Sequence, residues 1–238
     1  FAVPETWTEA DERRVVAEVA ALFPALVQLE FEGRYSAMLS HEPKNYALLG
    51  YTGELVLRGV AFHSSRAEPY GEVFLRRAIG KLLVDDVLGV REVYLETLDA
   101  LRRRELPTRE VSSKVRLTKK PAEYVASRES RREIAYEALL AAGRTQWRVG
   151  ERVRVYRAKN GAAALAPDED EDEAQVDHSE VRDYDVEHYA RLLRETYAAR
   201  LARAFTAQDF AVVFASPEQL TLFTPPLSSI HSVLRELS

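Results

Sequence analysis

The side chains of this chain best suited to chemistry on a partner are cations, and they are concentrated in one stretch. Between Ser112 and Arg157 there are twelve Lys and Arg against five Asp and Glu. Between Leu165 and Glu187 the sign reverses, with eleven Asp and Glu against Arg182 alone. The formal net charge of −5 over 238 residues hides this separation, and a partner feels the local field. Within the basic stretch Lys114 and Arg116 alternate along a strand-like run, which puts both on one face, and Lys119 and Lys120 extend the patch. A handful of phosphate contacts from such a face gives sequence-independent, salt-sensitive binding to a nucleic-acid backbone. A solvated charged face that binds nothing is the other reading of the same residues.

Two further groupings stand out. Lys44 and Tyr46 are spaced to share a strand face, a charge for a phosphate beside an aromatic ring. Near the end, Gln219-Leu220-Thr221-Leu222-Phe223 offers two apolar anchors, Leu222 and Phe223, with a hydrogen-bonding Gln219 and a further contact in Leu220. Pro217 and Pro225-Pro226 keep that stretch out of a helix, so it reads as an extended peptide for recognition by a partner. The competing reading is a terminal strand packing its leucines on the rest of the protein.

Other chemistries are excluded or weak. With no cysteine there is no disulfide, thiolate zinc site or cysteine nucleophile. The histidines His41, His63, His178, His188 and His231 are scattered, with no HxxxH-type pair. Asp168 to Glu173 is an unbroken acidic run that reads as a solvated loop; it lacks the apolar neighbours that would tune a carboxyl for hydrolysis. No apolar run approaches the roughly 20 residues needed to span a bilayer, and no signal peptide is visible.

The elements that must position these residues follow from periodicity. Thr8 reads as a helix N-cap with Asp11 three residues on, and Val15, Val16, Val19, Ala20 and Phe23 recur at helical spacing until Pro24. Val27 to Arg34 alternates like a strand, with Glu30 and Glu32 on its solvated face. Tyr46 to Leu49 and Leu55 to Val60 form a hairpin around Gly53. Helices are predicted over Tyr70 to Leu83, Arg91 to Arg104 and Arg131 to Ala142, with Gly89, Pro107 and Gly143 as punctuation. Val111 to Leu117 is a short strand, and Val153 to Tyr156 with Ala162 to Leu165 a second hairpin turning at Asn160-Gly161. Asp185 to Phe205 is an amphipathic helix, Phe210 to Phe214 continues helical, and the tail after Ser216 is extended. A boundary falls near Phe62 to Glu68.

The order of these elements resembles the palm-to-thumb junction of family B DNA polymerases. The residues carrying the resemblance are Leu29-Glu30-Phe31-Glu32, Lys44-Asn45-Tyr46-Ala47 and Gly59-Val60-Ala61-Phe62-His63-Ser64-Ser65-Arg66. The basic strand Val111 to Leu117, its Lys119-Lys120-Pro121 turn and Tyr124 match the thumb, as do Gly143 and Val149 to Val153. Pro43, Ala61 and Ser64-Ser65 depart from residues common in the family. The resemblance implies an α+β fold: an incomplete palm (helix plus antiparallel strands, residues 1–65), then a mainly helical thumb with a small β-hairpin (66–215), then an extended tail (216–238).

It also implies a function. The parent would be a bacterial, polymerase II-like DNA-directed DNA polymerase using Mg²⁺ held by palm aspartates. The chain opens at Phe1, which falls just after that Asp-x-Asp motif, so no catalytic or metal-binding residue is expected here and the isolated piece is expected to be inactive. The implied DNA-binding residues are Lys44, Tyr46, Ser64, Ser65, Arg66, Ser113, Lys114, Arg116, Lys119, Lys120, Arg128 and Arg131. The implied partners are primer–template DNA, the remainder of the polymerase chain and, through Gln219 to Phe223, the bacterial β sliding clamp. The implied setting is the cytoplasm, at the nucleoid. A stand-alone nucleic-acid-binding module and a subunit of a split polymerase are the alternatives.

Overall fold

The computed structural model describes residues 3–4, 6–24, 26–64, 66–167, 182–219 and 225–233. The first element, helix α1 (Glu9–Ala20), starts as its sequence dictates. The Thr8 amide donates to Asp11 Oδ2 at 3.0 Å and the Asp11 amide to Thr8 Oγ1 at 3.4 Å, a reciprocal cap. The helix stops at Ala20, one turn short of the expected Phe23.

The strand expected over Val27 to Arg34 does not form; the segment has no regular structure. Alternation makes a strand only where another strand lies alongside to complete the ladder, and among the described residues none pairs with it. The segment instead runs back along α1. Arg34 reaches the buried Glu12 carboxylate at 3.0 Å and donates to the Trp7 carbonyl at 2.9 Å, while Arg13 lies over the Phe31 ring.

The first sheet is antiparallel in the order β1 (Ala37–Glu42), β2 (Asn45–Leu49), β3 (Leu55–Arg58). The β2–β3 hairpin is as expected, with Gly53 at φ 91° in its turn. Strand β1 was not foreseen. Its turn to β2 places Lys44 at φ 65°, so Lys44 lies in the turn and not on the strand face it was expected to share with Tyr46.

Helices α2 (Pro69–Leu82) and α3 (Val87–Arg102) form a hairpin whose facing residues include Phe74, Ala78, Ile79, Val90, Tyr94 and Leu101. Leu39 and Ala47 of the first sheet join the same core, as do Tyr189, Leu193, Tyr197 and Leu201 of a later helix. Burial of so many large side chains, at roughly 1.5–3 kcal/mol each, dominates the cohesion of this part.

The second sheet joins two elements that the sequence presented separately. Strand β4 (Ser113–Arg116) pairs with β5 (Arg152–Arg157), which pairs with β6 (Ala163–Leu165), all antiparallel. What was expected as a small hairpin is thus a three-stranded sheet. The Asn160-Gly161 turn forms, with Gly161 at φ 78°. A short helix α4 (Pro121–Ser127) precedes α5 (Ile134–Ala141), which starts three residues later than expected. Tyr124, Tyr136 and Trp147 pack with Leu117, Leu139, Val153 and Val155 into a second core beneath the sheet.

Helix α6 (Val186–Leu192) opens at Asp185, which accepts from the His188 amide at 3.0 Å. The expected single helix to Phe205 changes pitch instead, through a π segment (Leu193–Tyr197) and a 3₁₀ segment (Ala198–Ala204). Helix α7 (Ala207–Val213) follows. Residues 225–233 are not a free extended tail. Ile230 is buried in the main core, the Ser232 amide and hydroxyl bond to Asp85, and the Val233 amide donates to the Ala204 carbonyl.

Candidate nucleic-acid interface

Among the described residues, strand β4 is the edge of the second sheet. The Leu117 amide donates to the Glu151 carbonyl at 2.8 Å beyond the end of β4. The register then makes Val115 and Ser113 the hydrogen-bonded positions and turns the backbone groups of Lys114 and Arg116 away from β5. Side-chain alternation divides the sheet. Val115, Val153 and Val155 face the second core, whereas Lys114, Arg116, Arg152 and Arg154 lie on the opposite face. Lys114 is directly opposite Arg154, and Arg116 directly opposite Arg152. These four side chains give that face of the sheet a positive character.

Arg66 comes from far away in sequence, between β3 and α2, and it meets this strand. Arg66, residues 113–118 and Val149 line one open groove of about 460 Å³. Arg66 and Arg116 are exposed. Gly150, at φ 94°, closes the loop before β5 and donates its amide to the Leu117 carbonyl at 2.7 Å, holding Arg116 and Val149 on the rim. The groove therefore combines the cations Arg66, Lys114 and Arg116 with the backbone edge of β4, a set suited to phosphate oxygens and not to base edges.

The remaining expected residues are placed differently. Lys119 turns inward: its Nζ lies 2.8 Å from Glu133 Oε1 and 3.3 Å from Ser127 Oγ, above the Tyr124 ring. Arg128 makes a two-pronged pair with Glu137, at 2.8 Å on each oxygen. That guanidinium, with the Tyr124 hydroxyl, pulls the Glu137 carboxyl down to about 2. Lys120 is exposed at the start of α4, and Arg131 is exposed with Glu133 3.9 Å away. The Ser64 amide donates to Glu72 Oε1 at 2.5 Å, and its hydroxyl accepts from the Arg66 amide at 3.3 Å. Tyr46 stands half-buried on β2 between Ser40 and Arg58. Neither Lys44 nor Tyr46 lines the groove. Ser65, Leu220, Thr221, Leu222 and Phe223 lie outside the described residues, as does the side chain of Gln219.

Sequence reading missed three contributors. Arg152 and Arg154 were legible as the Arg-Val-Arg-Val alternation of 152–155, but only the register shows that they face Lys114 and Arg116. Asn45, inside the Lys44-x-Tyr46 spacing, is the residue that fastens the exit from β3. Its Oδ1 accepts from the Ala61 amide at 2.9 Å, and a side chain on Gly59 would collide with it. Among the described residues, no group of three or more His, Cys, Asp or Glu converges to hold a metal ion, and no helix is long and apolar enough to cross a membrane.

No protein-family model matches the chain. Over 110 residues, 46% of its length, it is 24% identical to a DNA polymerase of Methanocaldococcus jannaschii, of which the match spans 7%. Its fold is similar to that of the family B DNA polymerase of the hyperthermophilic archaeon Pyrobaculum calidifontis. The TM-score is 0.55 and the identity 17%, over 84% of this chain and 25% of that one. The mixed α+β architecture, with small antiparallel sheets and several helices, is thus similar to that of part of this family B polymerase. Over part of its length the chain is similar in sequence to one archaeal DNA polymerase and in fold to another, and it spans about a quarter of the latter.

Proposed function

We propose that this chain is the palm-to-thumb portion of a DNA-directed DNA polymerase of family B, and that it grips primer–template duplex by its phosphates. On this reading residues 1–65 complete the palm, 66–215 form the thumb and 216–238 the tail. The Mg²⁺ and the catalytic aspartates belong to the remainder of the polymerase, and the chain alone does not extend a primer. The observation that carries the reading is the groove in which Arg66 meets Lys114 and Arg116 along the open edge of β4. Such a site holds a backbone without reading sequence, which suits an enzyme that must slide.

The test is binding to labelled primer–template duplex across a salt series. Three phosphate contacts predict a slope of log K against log salt of about −2.7, shallower in a variant lacking Arg66, Lys114 and Arg116. Absence of binding at low salt by the folded protein sinks the reading. Template-dependent extension by this chain alone sinks the placement of the aspartates elsewhere.

The bacterial, polymerase II-like form of the proposal, and docking on the β sliding clamp, rest on Gln219-Leu220-Thr221-Leu222-Phe223. Both relatives named above are archaeal. Immobilised β clamp is expected to retain the protein and to release the Leu222→Ala/Phe223→Ala variant; equal retention of both removes the clamp from the proposal. A subunit of a split polymerase differs only in where the aspartates are encoded, and adding the partner chain would restore extension.

A further inference from the structure

The groove depends on two segments about fifty residues apart in sequence, and something must fix the first against the second. Arg66 has no ion pair among the described residues, and its backbone is held only locally, by Ser64. The residues flanking it are anchored from elsewhere. The Ala61 carbonyl accepts from the Arg200 guanidinium in a short contact. The Glu68 amide donates to the Tyr197 hydroxyl at 3.1 Å, and that hydroxyl donates in turn to Glu68 Oε2 at 2.5 Å. Two residues on, the Tyr70 amide donates to the Glu110 carbonyl at 3.0 Å, on the approach to β4.

Helical spacing makes this possible. Residues i and i+3 of a helix are neighbours on one face, and the guanidinium of Arg200, in the 3₁₀ segment, sits 5.0 Å from the centre of the ring of Tyr197, the last residue of the π segment. Both side chains consequently reach the same stretch, one on each side of Arg66. The opposing surface is cut to fit: a Cβ on Gly71 would come within 2.0 Å of the Tyr197 ring. Tyr197 is buried, and burial together with the Glu68 carboxylate pushes its hydroxyl well above the usual range, so it remains a donor at any ordinary pH.

We infer that Tyr197 and Arg200 are positioning residues, which clamp Ala61 and Glu68 on either side of Arg66 and so hold Arg66 opposite β4. They touch no ligand themselves. The inference rests on the groove being the duplex site only for its functional consequence; its geometric content stands apart.

The experiment exploits the absence of cysteine. Nitroxides on Arg66→Cys and Val149→Cys report the span of the groove. The dipolar spectrum is expected to show one narrow distance population, which broadens in Tyr197→Phe and in Arg200→Ala and narrows again in Arg200→Lys. An unchanged distribution in Tyr197→Phe and Arg200→Ala, in protein that remains folded, overturns the inference. Duplex affinity supplies the second arm. Arg66→Ala and Tyr197→Phe are each expected to weaken binding, and the double variant to be no weaker than Arg66→Ala alone. Additive losses overturn the inference while leaving the duplex reading intact. If Arg66→Ala has no effect on affinity, the duplex reading fails at this residue, and the spin-label result still decides the positioning role.

Discussion

Lys114 stands directly opposite Arg154 on the outer face of the second sheet, cation against cation, with Arg116 and Arg152 repeating the arrangement two residues on. The pairing concentrates positive charge on the face that the proposed duplex grip uses.

Lys114→Ala and Arg116→Ala are therefore expected to weaken duplex binding by about tenfold each, the worth of one charge-assisted contact. Each should also reduce the salt slope by about 1. Thermal stability of the Arg116→Ala variant should stay within about 0.5 kcal/mol of the parent, since Arg116 is exposed. Fluorescence anisotropy across salt and a melting curve on the same samples check both halves.

Gly71→Ala sets two effects against each other. Alanine in a helix interior gains about 1 kcal/mol over glycine, but the new methyl would lie 2.0 Å from a buried ring. Overpacking of a close-packed core costs about 1–3 kcal/mol, and with Tyr197 held by Glu68 the ring has little room to yield. Net destabilisation is expected, read as a lower urea midpoint; a rise would show that Tyr197 moves freely.

Arg91 is buried with no acidic partner among the described residues, and its guanidinium donates to the carbonyls of Val213, at 2.8 Å, and Ala215. These are the orphan acceptors at the end of α7. Arg91→Ala leaves them unsatisfied in the core, an expected loss of about 2–4 kcal/mol. Chemical denaturation measures it, and hydrogen exchange should show α7 opening first.

The Arg128–Glu137 pair gives a pH dependence whose sign is fixed. The folded carboxyl titrates at about 2, below its ordinary value of 4.5, so its contribution is fully present above 4.5 and is lost as pH falls towards 2. Glu137→Gln should lower stability at neutral pH and flatten its fall between those two values. Urea midpoints at several pH values check this, and high salt should shrink the difference because both groups are partly exposed.

Displacing the C-terminal segment tests its attachment. Ile230 is buried beside α3, and the Asp85 carboxylate accepts from the Ser232 amide at 2.7 Å. Ile230→Ala is expected to cost about 2–4 kcal/mol, as for other large-to-small core changes. Limited proteolysis should then cut after residue 224 at a concentration of protease that spares the parent.

Where structure is local, the sequence by itself was sufficient. Thr8 with Asp11, the turns at Gly53 and Gly161, and the stop at Gly143 each depend on a few neighbouring residues, and each forms as read. The basic excess from Ser112 to Arg157 was also legible, because charge is a property of composition. Tertiary structure decided everything that needs a second surface. Val27 to Arg34 alternates but is no strand, since no ladder partner lies beside it. Lys119 and Arg128 resemble Arg116 in sequence, yet Glu133 and Glu137 fold within reach of these two and engage them. The pitch change after Leu192 interrupts a periodic helical pattern, and the contacts of Tyr197 with Glu68 and of Arg200 with Ala61 need the first sheet and α2 packed alongside. The meeting of Arg66 with β4 joins residues about fifty apart, and no local rule encodes a distance that only packing of the core between them can set.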